Sequence, residues 1–175
     1  MLLPATGAPK PKILIVEPDR AFITTLASAL NAKGYGIVGT ATETASAIEY
    51  FNRIKPDVLI TEVDLAHSLN SFMGIDLASH FRAKHPMLGV VFLTSLTNKS
   101  LVGSNARLLE TSYFLSKKNI TKMDVIEVAI MESLRLVRAP ENPTHDIYGF
   151  NSEKNSSIKL AKSDLALLDL ISDGM

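Results

Sequence analysis

Along most of this chain, short unbroken apolar runs alternate with longer stretches whose apolar residues recur at helical spacing. Ile13-Leu14-Ile15-Val16 is the first such run. Four aliphatic residues without a polar break suit a strand covered on both faces, as in a parallel sheet. Asp19 follows as a helix N-cap. Phe22, Ile23, Leu26, Ala29 and Leu30 then share one helical face, and Gly34 stops the helix. The cycle repeats. Ile37-Val38-Gly39 reads as a second strand, and Thr42 caps a helix with Ala45, Ile48 and Phe51 on one face, closed by Pro56. Val58-Leu59-Ile60 is a third strand. A loop over 63–73 leads to a helix over 75–85 with Leu77, Ala78 and Phe81 inward. Val90-Val91-Phe92-Leu93 is the fourth strand, and 98–110 a short or irregular helix. Tyr113-Phe114-Leu115 is the fifth strand. Thr121 caps a last helix bearing Val125, Ile126, Ala129, Ile130 and Leu134.

Five strand–helix units in succession predict an α/β domain with a five-stranded parallel sheet and right-handed crossovers. In such sheets the working site lies beyond the carboxyl ends of the strands. Those ends carry Glu17 and Asp19 after the first strand, Glu62 after the third, Thr94 after the fourth and Lys117 after the fifth. Any one polar residue there is explained by a strand reaching the surface. Three carboxylates, a hydroxyl and an ammonium at matching ends point instead to one pocket. Hard oxygen ligands of this kind suit Mg²⁺, and a hydroxyl with an ammonium suits phosphoryl oxygens.

Composition narrows the classes. The 175 residues are 46% hydrophobic and 21% charged, an ordinary globular balance sufficient for one domain and a tail. Lys plus Arg and Asp plus Glu are 18 each, so bulk charge gives no argument for nucleic acid or an anionic membrane. There is no cysteine, which excludes disulfides, thiolate metal sites and thiol nucleophiles. No apolar run approaches the roughly 20 residues of a membrane helix. The first residues, with Pro4, Pro9 and Pro11, lack the apolar core of a signal peptide. A cytoplasmic protein is the simplest expectation. The histidines, His67, His80, His85 and His145, do not group as metal ligands. Neither a glycine-rich phosphate loop nor a nucleophile elbow is present.

Four segments together make the pattern specific: Val16-Glu17, Pro56-Asp57 leading to Thr61-Glu62-Val63-Asp64-Leu65, Val91-Phe92-Leu93-Thr94-Ser95, and Phe114-Leu115-Ser116-Lys117. Over about residues 12–135 this resembles the receiver domain of bacterial response regulators, a flavodoxin- or CheY-like doubly wound (βα)5 fold. The resemblance implies an acidic pair after strand one for Mg²⁺, a phosphorylated aspartate ending strand three, and a hydroxyl and a lysine that read the phosphoryl group. Thr94 and Lys117 match those reading positions, and Phe114 matches the aromatic switch position.

Two departures change what is expected. The acceptor position holds Glu62, and the second metal-binding acid aligns with Pro18, flanked by Glu17 and Asp19. Glutamate is one methylene longer and would carry its carboxylate toward Thr94 and Lys117. The expectation is therefore a Glu62–Lys117 pair with a hydrogen bond from Thr94, resembling a fixed, partly activated state. It makes the chain a pseudo-receiver, with no cofactor; Mg²⁺ would have only Glu17 and Asp19 as weak ligands. Asp64 is the one substitute acceptor nearby, on the same side as Glu62 by strand alternation.

The expected organisation is a flexible leader over 1–11, the receiver-like domain over 12–138, a Pro-, Asn- and Ser-rich linker over 139–157, and an amphipathic segment over 158–175. In that last segment Ser163 can cap a helix with Leu165, Leu168 and Ile171 on one face. It resembles the first helix of a LuxR-type helix-turn-helix, as in NarL-type regulators. DNA reading would need the recognition helix, so it is expected only of a longer chain. The resemblance implies a non-enzymatic signalling module of a transcription regulator, a homodimer through receiver helices, a histidine kinase as partner, and no membrane. Ile130, Leu134 and Val137 are the candidate exposed apolar contacts. The alternatives are a conventional Mg²⁺-dependent phospho-receiver of a two-component system and a small-ligand-sensing α/β domain. An enzyme using Glu62 and Lys117 as an acid–base pair has less support.

Overall fold

A computed structural model of the chain describes residues 9–66, 73–94, 106–120 and 123–139. Its elements are β1 (Lys12–Val16), α1 (Arg20–Ala32), β2 (Gly36–Ala41), α2 (Thr44–Ile54), β3 (Val58–Thr61), α3 (Met73–Lys84), β4 (Gly89–Thr94), α4 (Ala106–Glu110), β5 (Tyr113–Ser116), a 3₁₀ turn (Lys117–Asn119) and α5 (Met123–Arg138). All strand pairs are parallel, in the order β2-β1-β3-β4-β5. Strand order reverses beside β1, so a crevice opens beyond the carboxyl ends of β1 and β3.

The unbroken apolar strands are covered on both faces, as their composition requires. Alternation sends Leu14, Val16, Leu59, Val90, Phe92 and Phe114 into one core with Phe51 of α2 and Ile75, Leu77 and Phe81 of α3. It sends Ile13, Ile15, Ile60, Val91, Leu93 and Leu115 into a second core with Leu26 and Leu30 of α1 and Ile126 and Ile130 of α5. The rings of Phe51 and Phe81 stack at 4.0 Å and tie α2 to α3.

Helix ends follow local chemistry. The Asp19 carboxylate accepts the amides of Ala21 (2.8 Å) and Phe22 (3.1 Å) and caps α1. Gly34 leaves α1 at a φ of 84°. Thr42 does not cap α2; the chain enters from Glu43, whose side chain makes no capping bond. That helix ends at Lys55, with φ 49°, because Pro56 disfavours the helical conformation in the residue before it. The Arg82 guanidinium of α3 donates to the Thr111 hydroxyl (2.9 Å) and so fixes the turn between α4 and β5. Burial pulls its pKa down to about 10.

The expected exposure of α5 is corrected. Ile130 is fully buried, Leu134 nearly so, and Val137 is half-buried. Alpha5 lies close on β4 at Gly89, where an added Cβ would sit 2.6 Å from the Ser133 hydroxyl, so this face is drawn into the core. The exposed apolar residues of α5 are Val128 and Met131 instead. Lys10, placed in the leader, is anchored: its ammonium lies 4.2 Å over the Tyr35 ring and 3.3 Å from Glu127. Thr121, most of 98–110, and the tail with Ser163, Leu165, Leu168 and Ile171 lie outside the described residues.

Candidate functional site

Backbone pairing sets out the site before any side chain is considered. The Glu17 amide donates to the Ala41 carbonyl at 2.9 Å, and the Glu62 amide to the Val16 carbonyl at 3.0 Å. Each glutamate is thus the first residue past its strand, on adjacent strands. The β5 strand delivers Lys117 to the same end through Ser116, whose hydroxyl accepts the Lys118 amide at 3.3 Å and starts the 3₁₀ turn.

The Lys117 ammonium lies between two carboxylates, 2.5 Å from Glu17 Oε2 and 2.6 Å from Glu62 Oε2. Both glutamates are buried, and the lysine side chain is 16% exposed. Burial disfavours its charge, but the hydrogen bonds it donates to Glu17 and Glu62 and their attraction outweigh this, so its pKa is raised. The remaining glutamate oxygens are also engaged. Glu17 Oε1 accepts the Asp19 amide at 3.0 Å. Glu62 Oε1 accepts the amides of Val63 (2.8 Å) and Asp64 (3.4 Å), so its own loop wraps it. Gly74 at the start of α3 presses on that loop: its amide donates to the Val63 carbonyl at 2.9 Å, and an added Cβ would collide with the Glu62 carbonyl oxygen.

The structure therefore brings together Glu17, Glu62 and Lys117. Asp19 stands apart, exposed and committed to the α1 cap. Asp64 is half-buried and accepts the Ala66 amide at 3.1 Å. Thr94 ends β4, paired with Ser116; its side chain, and the hydrogen bond expected from it, lie outside the described residues. Phe114 is buried, stacked 4.8 Å from Phe92. Two features were not anticipated. Glu17, read as a metal ligand, is the second partner of Lys117. Phe22 of α1 lays its ring 5.0 Å from the ammonium, and its place one turn after Asp19 was the available signal.

The resemblance to receiver domains implies Mg²⁺, and these residues do not fit it. The pair of acids that would hold the ion is reduced to Glu17, whose oxygens face Lys117 and the Asp19 amide. Pro18 supplies no ligand, and the Asp19 carboxylate caps α1. Among the described residues no three His, Cys, Asp or Glu side chains group as a metal site requires.

Comparison with known proteins agrees with this architecture. The family model described as the response regulator receiver domain matches residues 13–129. The transcriptional regulatory protein PdtaR of Mycobacterium tuberculosis is 33% identical over 98 residues, which is 56% of this chain and 45% of that protein. The chain thus spans less than half the length of the curated relatives it matches. Among solved structures, the signal receiver domain of a modulated diguanylate cyclase from Desulfovibrio desulfuricans G20 superposes with a TM-score of 0.60 at 22% identity, covering 75% of this chain and 99% of that one. The response regulator PhyR from Brucella abortus gives 0.58 at 17% identity, covering 75% and 50%. Identities this low speak to the fold alone.

Proposed function

The chain belongs to the response regulator receiver domain family, and on that premise we propose that it is a pseudo-receiver: the signalling module of a bacterial transcription regulator that works without aspartyl phosphorylation. The observation that carries the reading is Lys117 held by Glu17 and Glu62 together. In this reading Glu62 supplies, as a permanent carboxylate, the negative oxygen that Lys117 would otherwise find on a phosphoryl group. The loss of metal ligands at Pro18 and Asp19 supports it, since phosphoryl transfer needs a cation to neutralise developing charge. The likeness to a transcriptional regulatory protein supports the placement in gene regulation. Thr94 and Phe114 keep the switch-equivalent roles. Input then comes by contact with a partner, a histidine kinase included, in a cytoplasmic setting. Output passes through dimerisation and, where a complete LuxR-type helix-turn-helix is present, through DNA reading.

Incubation with a small phosphodonor and Mg²⁺ followed by intact mass measurement tests this. The expected result is no added phosphoryl group. A Mg²⁺-dependent gain of one would return the chain to a conventional phospho-receiver, with Asp64 as the acceptor.

A further inference from the structure

Arg82 of α3 carries a charge that the domain does not answer. Its Nη1 donates to the Thr111 hydroxyl at 2.9 Å and its Nη2 to the Thr111 carbonyl at 3.4 Å. Its Nε is buried and meets no acceptor. None of the ion pairs among the described residues includes it. Even lowered by burial, its pKa stays well above neutrality, so the charge remains. A charge drawn out of water without a counter-charge is costly, and a buried donor left unsatisfied calls for a reason.

The missing anion does not come from within the domain. Residues 77–109 hold Arg82, Lys84, Lys99 and Arg107 and no Asp or Glu, in a chain whose charges balance overall. The stretches 1–8, 67–72, 95–105 and 121–122, outside the described residues, contain no acid either. Lys84 is exposed at the end of α3, and His85 follows it, half-buried. This end of α3 lies at the amino-terminal edge of the sheet, because β4 starts just beyond it at Gly89 and Thr111 shortly precedes β5. Lys117 stands at the opposite edge.

We propose that Arg82 is the receptor for a phosphate group, carried by a small ligand that docks between the end of α3 and the turn after α4. Thr111 anchors one edge of the guanidinium. The Nε–Nη2 edge is the fork that takes two oxyanion oxygens side by side. The long Nη2–Thr111 bond is the one exchanged, and a rotamer change on binding is ordinary. A phosphate carries about two negative charges at neutral pH, a better match to this cationic stretch than one carboxylate. Lys84 and, when protonated, His85 add to the field that draws it in.

The inference uses no residue of the pocket, so the phosphodonor experiment neither supports nor overturns it. Titration of the full chain with inorganic phosphate, at an ionic strength held constant with chloride, tests it. In ¹⁵N-correlated spectra the Arg82 Nε–H signal, identified by its loss in Arg82→Gln, should shift saturably, with a dissociation constant of about 1 mM or lower. Arg82→Lys keeps a charge but not the fork, and should weaken binding about tenfold or more. Arg82 also ties α3 to Thr111, so each variant is checked for a native amide spectrum, and the titration of the parent is decisive without them. No saturable shift in the parent, an undiminished affinity in Arg82→Lys, or succinate bound as tightly as phosphate would overturn the proposal.

Discussion

Replacing Lys117 by methionine removes the ammonium while keeping an unbranched stem. Its two carboxylate partners then remain buried with no counter-charge. Their facing oxygens, each within 2.6 Å of the ammonium, are at most about 5 Å apart. At an effective dielectric near 20, each ion pair is worth about 6 kcal/mol of Coulomb attraction, and the repulsion between carboxylates costs at least about 3 kcal/mol. Desolvation of the ammonium takes back several kcal/mol of the attraction, so the expected net loss of stability is about 3–5 kcal/mol. Glu62→Gln alone leaves Lys117 paired with Glu17 and should cost only about 1–2 kcal/mol. The double variant Glu62→Gln/Lys117→Met should be more stable than Lys117→Met, because it removes the repulsion. Urea unfolding followed by far-UV circular dichroism reads these differences, the chain having no tryptophan for fluorescence. pH gives an independent check. In the parent, the raised Lys117 pKa is a contribution fully present below the ordinary lysine value and lost only as pH rises through the folded-state value. Should Lys117→Met fall within about 1 kcal/mol of the parent, or the two substitutions simply add, the triad does not hold the pocket together.

Other consequences follow from single contacts. Gly74→Ala should lower stability by about 3 kcal/mol or more, seen as a lower unfolding midpoint, because its Cβ meets the Glu62 carbonyl oxygen. Asp19→Ala should cost about 1 kcal/mol through loss of the α1 cap while leaving the Glu17–Lys117 pair in place; a loss several times larger would place Asp19 in the pocket instead. Burial, and then Glu127, push the Tyr35 phenol up to about 12. Its contribution to stability is therefore full below the ordinary tyrosine pKa and lost as pH rises from there toward about 12. An ultraviolet phenolate titration should show a late step that Tyr35→Phe removes.

The parallel sheet was legible because its strands are short and unbroken by polar residues. Ile13 to Val16 and Val90 to Leu93 have no reading as amphipathic surface strands, and both faces are indeed covered. Asp19 and Gly34 were legible as helix punctuation because their chemistry is local. Thr42 misled for the same reason: a capping residue predicts a cap only where the chain enters at a suitable angle, and α2 enters at Glu43. Ile130 and Leu134 misled because periodicity identifies an apolar face but not where the sheet meets it; the close approach at Gly89 decides that. In the pocket, strand-end position was enough to anticipate Glu62 beside Lys117. It could not reveal that Glu17 shares the same ammonium, since that depends on how far Lys117 extends between two strands. Phe22 was assigned to the helix face and reaches the ammonium as well, a dual role that spacing alone does not encode.

The central claim is that Glu62 and Pro18 together have removed phosphoryl chemistry from a receiver fold. The most direct test weighs two chains side by side after incubation with the same small phosphodonor and Mg²⁺: the parent, and the variant Pro18→Asp/Glu62→Asp, which restores the missing acid and the shorter acceptor. The parent should keep its mass, and the variant should gain one Mg²⁺-dependent phosphoryl group. A phosphoryl group acquired by the parent and mapped to Asp64 would contradict the account.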